Sequence, residues 1–214
     1  MAGAAETRHA RRLLLFGPPG AGKGTQAALL AERLGVPAIS TGEMFRQAVA
    51  GKSELGRKVE AILARGELVD DATTADIVRA RLAEADARPG FLLDGYPRNL
   101  AQAATLEEIL RQRGESLDAA VFLEVPAEEL VRRMSGRAQE CGRSDDRPAV
   151  VRERLRIYEQ KTAPLVEYYR QRCLLRQIDG HRAVEAVADA VLAALQPAAA
   201  AAACAARETA GSLA

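Results

Sequence analysis

The chain has no tryptophan, and phenylalanine and tyrosine occur four times each among 214 residues. So few aromatics argue against a stacking platform for single-stranded nucleic acid. Histidine occurs twice, at His9 and His181, which is too sparse for a metal site. The three cysteines, Cys141, Cys173 and Cys204, are odd in number, widely spaced and without a C-x-x-C pair. That spacing suggests neither a zinc site nor a disulfide framework. Long apolar runs are missing too. The basic N-terminal residues lead only to the four apolar residues Leu13, Leu14, Leu15 and Phe16, too short for a signal peptide or a membrane span. Charge of one sign is not in excess, since the formal net charge is +1. No bulk electrostatic pull toward nucleic acid or membrane is expected, and a reducing cytoplasm fits. Lysine is scarce, four against 26 arginines. We read part of that imbalance as gene base composition, so only arginines inside motifs carry argument below.

What is present is a sufficient core and a clear alternation. Hydrophobic residues make up 48% of the chain, enough for one domain with small inserted lobes. Short apolar strand candidates fall at residues 12–17, 37–40, 90–94, 119–125 and 175–179, with longer helix-like stretches between them. This pattern predicts an α/β fold, a five-stranded parallel sheet flanked by helices on both faces, with ligands at the carboxyl ends of the strands. Two stretches interrupt it. Residues 41–69 hold two helix-like pieces split near Gly51 and suggest a small surface lobe. Residues 136–146, GRAQECGRSDD, suggest a short mobile loop. Pro164 should end or kink the helix-like region after it. The expected core is then 11–40 with 70–135 and 147–196. The tails 1–10 and 197–214, the latter with its alanine run, are expected to be disordered.

The richest segment is Gly17-Pro18-Pro19-Gly20-Ala21-Gly22-Lys23-Gly24-Thr25, entered from the first strand and leading into a helix expected over residues 26–34. A glycine-rich turn between strand and helix lets backbone N–H groups surround an anion, and the helix N-terminus adds partial positive charge. Lys23 adds a full charge for β and γ phosphates. The residue after Lys23 is Gly24, and the hydroxyl comes one later at Thr25. A GTPase-like switch places that hydroxyl directly after the lysine to hold Mg²⁺, so this loop suits an ion held through water and the phosphates.

Ser40-Thr41-Gly42-Glu43-Met44-Phe45-Arg46 follows the second strand. Asp94-Gly95-Tyr96-Pro97-Arg98-Asn99 follows the third, with Gln102 shortly after. Arg133, Arg137, Arg143 and Arg154 bracket the expected loop. Arginine suits a phosphate clamp because its planar fork binds bidentately and keeps its charge. Arg46 and Arg98 could grip one acceptor phosphate from two sides. Asp94 ends an apolar strand beside the loop, well placed to orient Mg²⁺-bound water. No residue stands out to deprotonate a hydroxyl, which points to an acceptor oxygen that is already anionic, a phosphate.

GPPGAGKGT, STGEMFR and LLDGYPRN together resemble the adenylate kinases within the nucleoside monophosphate kinases, over nearly the whole chain. The resemblance implies a P-loop three-layer fold, an NMP-binding lobe at 41–69 and a lid at 136–146. It implies reversible transfer from Mg·ATP to AMP, giving two ADP. Lys23, Arg98, Arg137, Arg143 and Arg154 would serve catalysis. Gly20, Ala21, Gly22, Lys23, Gly24, Thr25, Arg133, Arg137 and Arg182 would hold ATP, with Arg133 against its adenine. Thr41, Arg46, Glu67, Leu68, Val69, Gly95, Tyr96, Pro97, Arg98, Gln102, Arg143 and Arg154 would hold AMP or the bridging phosphates, and Asp94 the metal through water. Asp145 and Asp146 match the acidic pair closing the lid. Seven residues separate Arg137 from Asp145, and Cys141 is alone, so the lid is of the short form and no zinc is expected. The resemblance also implies a monomer without nucleic-acid or membrane partners. The alternatives are a uridylate/cytidylate kinase, which differs around the STG segment and Gln102, and a nucleotide-binding regulator that has lost catalysis.

Overall fold

The computed structural model describes residues 11–141 and 147–196, without the side chains of 137–141, 148 and 149. Among the described residues, β1 (Arg12–Phe16), β2 (Ala38–Ser40), β3 (Phe91–Asp94), β4 (Ala119–Glu124) and β5 (Leu175–Asp179) form one parallel sheet in the order β2-β3-β1-β4-β5. β1 is central and buried on both faces, which is why it reads as an uninterrupted apolar run. Its side chains alternate. Leu13 and Leu15 pack with Leu30 of α1 (Lys23–Leu34) and Val191 of α9 (Val184–Ala194). Leu14 and Phe16 pack on the other face with Leu106 of α5 (Leu100–Gln112) and Tyr169 of α8 (Leu165–Gln171). The result is helix, sheet, helix.

Between β2 and β3 lie α2 (Thr41–Ala50), α3 (Glu54–Ala64) and α4 (Asp71–Leu82). Each begins on a side-chain cap: Ser40 accepts from Glu43 N, Ser53 from Gly56 N and Asp70 from Thr73 N. Phe45, Val59 and Val69 form a small apolar cluster of their own, apart from the two sheet-face cores.

Three local expectations need correction. The helix α1 starts at Lys23, not Gln26, because Gly22 at φ 89° closes the loop directly onto it. The helix α6 (Ala127–Cys141) takes in the first six residues of the loop expected at 136–146. Leu130 and Met134, one turn apart and both buried, anchor that helix, and Gly136 does not break it. Residues 142–146 and the tails lie outside the described residues. α7 (Pro148–Ile157) runs into a wide π turn at Tyr158–Thr162, where Ala163 N donates to Tyr158 O at 2.9 Å, and Pro164 then caps α8. Finally, Cys173 is disulfide-bonded, contrary to the reading of the cysteines.

Candidate active site

The phosphate loop hangs from the carboxyl end of β1. Gly20 turns at φ +86°, and a Cβ there would stand 2.8 Å from Leu130 O, so only glycine fits the turn beneath α6. Lys23 folds back, its Nζ donating to Gly17 O and Pro18 O at 2.9 Å each. The sheet register carries the other motifs to the same place. Leu15 pairs with Asp94, and Ser40 pairs with Asp94 on the far side. The Ser40 hydroxyl donates to Asp94 Oδ2 at 3.3 Å, and that carboxylate oxygen lies 4.0 Å from where a Cβ on Gly24 would sit. A half-buried carboxylate against the phosphate loop fits Mg²⁺, which keeps several waters and takes only one or two carboxylates beside substrate phosphates.

These pieces line one cavity of about 1210 Å³, lined by residues from Gly17 of the loop and Val187 of α9 to Leu68 at the lobe. Arg46, Arg98, Arg133, Arg154 and Arg182 all line it, each from a different element or loop. A single small-molecule site typically takes roughly 300–1,000 Å³, so this space suits two ligands. Arginines on its walls and an anion-binding loop suit ligands that carry phosphates.

The profile of the adenylate kinase family matches residues 15–174. The chain belongs to the adenylate kinase family. It is 51% identical over 185 residues to the adenylate kinase of Thermobifida fusca (strain YX), covering 86% of this chain and 98% of that one. It is 48% identical over 185 residues to that of Kocuria rhizophila, with the same coverage. To that of Clavibacter michiganensis subsp. michiganensis it is 50% identical over 184 residues, covering 86% and 92%. As an adenylate kinase it is an ATP:AMP phosphotransferase acting on ATP, AMP and ADP, and the pyrimidine alternative is not favoured.

In this adenylate kinase the expected loop residues Gly20, Ala21, Gly22, Lys23, Gly24 and Thr25 line the cavity, as do Leu68, Asp94, Gly95 and Pro97. Several expected residues stand back from it. Thr41 is buried and donates to Gly95 O at 2.9 Å. Tyr96 and Val69 are buried in the core and the lobe cluster. Glu67 is exposed and paired with Arg65. Gln102 is 2% exposed; its Oε1 accepts from Arg98 N and its Nε2 donates to Asp71 Oδ1, both at 2.8 Å. Arg46 pairs with Glu43 at 2.9 Å, and Arg98 Nε donates to Gly95 O at 2.8 Å. Arg137 is on α6 without a described side chain, and Arg143 lies outside the described residues.

Sequence reasoning missed Gln26, Asp71, Glu129, Tyr158 and Thr162. Gln26 is buried and ties α1 to the first residue of α9, Nε2 donating to Val184 O at 2.8 Å. Thr162, from the π turn, donates to Arg98 O at 2.7 Å. Glu129 was legible as a carboxylate three and four residues before Arg132 and Arg133 on one helix. Those two guanidiniums, Arg132 first, hold its carboxyl down to about 2. Burial first, then the Asp71 carboxylate, pushes the Tyr96 phenol up to about 12, so it stays neutral. Burial also lifts Tyr158, to about 12.

Proposed function

We propose that ATP binds with its phosphates on the Gly20–Thr25 loop and AMP on the Arg46–Arg98 side, and that the terminal phosphoryl passes between them. The P–O bond to the β-phosphate oxygen of ATP breaks, and a new bond forms to a phosphate oxygen of AMP, giving two ADP. The acceptor oxygen is already anionic, so no general base is needed. Catalysis is positioning and charge neutralisation. Backbone N–H groups of the loop and Lys23 hold the β and γ phosphates. Arg98, its Nε fixed on Gly95 O, presents the rest of its fork to the acceptor phosphate. Arg154, with Arg137 and Arg143 of the short lid, covers the transferring group and excludes water. Arg133 and Arg182 flank the donor base. Mg²⁺, when bound through water on Asp94, supplies charge neutralisation to the donor's terminal phosphates.

Adenine selection on the acceptor side is assigned to Gln102, which stands back from the cavity wall, so a base reaches it only when that wall shifts on binding. Arg98 N and Asp71 orient its amide and leave one hydrogen on Nε2 and one lone pair on Oε1. Thr41 and the Glu67–Val69 backbone would line the same pocket. We further propose an Mg²⁺-dependent, zinc-free monomer of the cytoplasm, without nucleic-acid or membrane partners, built of the core, lobe and lid segments given above. Among the described residues no helix is long and apolar enough to cross a membrane.

The observation that carries this reading is the convergence of Lys23, Asp94 and Arg98 on one cavity, from the ends of the two adjacent strands β1 and β3. A coupled assay with AMP, UMP, CMP and GMP as acceptors tests the base assignment. AMP should show the highest kcat/KM, and a higher value for any pyrimidine overturns it.

A further inference from the structure

Glu129 belongs to none of the motifs that carry the reaction, yet its carboxylate is 9% exposed and lines the cavity. A carboxylate facing an anion site is unfavourable by itself, because it repels the triphosphate. Its contacts give it a different use. Its two oxygens accept from Arg132 Nε and Nη2 at 2.7 Å each, and Oε1 also accepts from Arg133 Nε at 2.6 Å. His181 Nε2 stands 4.0 Å from Oε2. Arg133 Nη2 donates in turn to Gly180 O at 3.1 Å, and its Nη1 lies 3.7 Å from where a Cβ on Gly22 would sit. The guanidinium is thus pinned on two edges, between the phosphate loop and the loop leading to α9. Without the Glu129 pin, an arginine this close to the loop would swing its charge onto the phosphates.

We propose that Glu129 is a positioning residue for the donor nucleotide: it holds Arg133 across the base side of the donor site and keeps it from collapsing onto the triphosphate. The proposal rests on the reading that ATP occupies the Gly20–Thr25 loop with its base toward Arg133. It separates two effects of opposite sign. If Glu129 acted only through its charge, removing that charge would tighten every polyphosphate. If it acts by positioning, removing it weakens ATP and spares a ligand without a base.

The test uses the full-length enzyme and three variants, Glu129→Gln, Glu129→Asp and Arg133→Ala. Each is measured for KM of ATP, KM of AMP, inhibition by inorganic tripolyphosphate, and thermal midpoint. Glu129→Gln is nearly isosteric but turns an NH2 group toward one of its two arginines. Loss of a charge-assisted bond of this kind should raise KM for ATP roughly tenfold. The KM for AMP should not move, and tripolyphosphate should bind equally or more tightly. Glu129→Asp, which keeps the charge, should recover part of the ATP affinity. An ATP KM that is unchanged or lower in Glu129→Gln, while Arg133→Ala raises it, overturns the positioning role alone. An unchanged ATP KM in Arg133→Ala overturns the donor-site reading on which it rests. A lower thermal midpoint with AMP and ATP affected equally means Glu129 only stabilises the fold, and also overturns the proposal.

Discussion

Lys23 reaches over its own loop and donates to the Gly17 and Pro18 carbonyls. The same side chain therefore shapes the loop and supplies its charge. Lys23→Met keeps the length of the stem and removes both. Transfer should fall by about three powers of ten or more, since preorganised charge at the phosphoryl is the main catalytic device available here. Single-turnover rates together with circular dichroism check this; a folded variant with near wild-type kcat would take Lys23 out of the mechanism. Glu129 allows a second measurement at this scale. In the unfolded chain its carboxyl titrates near the ordinary value of about 4.3. In the fold its two arginines hold it down to about 2. The native state then binds fewer protons between those values, so the carboxylate's contribution is complete above the ordinary value and is lost as pH falls through the folded one. The difference in thermal midpoint between wild type and Glu129→Gln should therefore shrink on acidification from about pH 5 to about pH 2. A difference that stays constant over that range would mean the pair does not stabilise the fold.

Among the elements, α2 and α3 meet at an unusually tight point. A Cβ on Gly56 would lie 2.0 Å from Ala48 O and 2.7 Å from Val49 N, and backbone atoms of a packed helix cannot yield that far. Alanine would gain about 1 kcal/mol of helix propensity over glycine. Overpacking costs roughly 1–3 kcal/mol and more where the obstacle is backbone, so the clash wins. Gly56→Ala should push α3 off α2, speed hydrogen exchange through 41–64 and raise the KM for AMP more than that for ATP. Unaltered exchange in 41–64 would show that the contact is slack. The strands were legible to within a residue or so because each is short and bounded by charge, glycine or proline, and β1, β3 and most of β4 are apolar runs buried on both faces. The glycine loop and the two strand-end motifs were legible because their residue types are fixed by phosphate chemistry. The end of α6 was not. GRAQEC is polar and carries a glycine, and nothing local reveals that Leu130 and Met134 seat the helix one and two turns earlier. The burial of Thr41 and Gln102 was hidden for a similar reason, since Gly95 O and Asp71, which engage them, come from other elements.

At the scale of the molecule, the order β2-β3-β1-β4-β5 sets three motif-bearing strand ends side by side, and the arginines reach the cavity from elements on every side of it. Like charges on separate elements repel while the cavity is empty and converge when phosphates fill it. An inhibitor joining two adenosines through five phosphates would span both sites and gain affinity by effective concentration. Bound, it should slow exchange in α2, α3 and α7. The buried β1 and β4 should change little, because the strongest protection belongs to core strands already. Tight binding with unchanged exchange in those three helices would favour a rigid, preformed site.

The wide turn at Tyr158–Thr162 has a consequence for the length of the gene. It spends one residue more than ordinary winding over the same rise, and it sits between Arg154 on one side and the Thr162 anchor on the other. Dropping a residue from α7 between Arg154 and the turn would rotate everything before the gap by about 100°, carrying Arg154 away from the cavity. Dropping one from the turn lets ordinary winding resume with both flanks near their present angles. A three-base deletion there is absorbed as slack, while the same deletion just upstream, at residues 155–157, turns the helix before it on its axis.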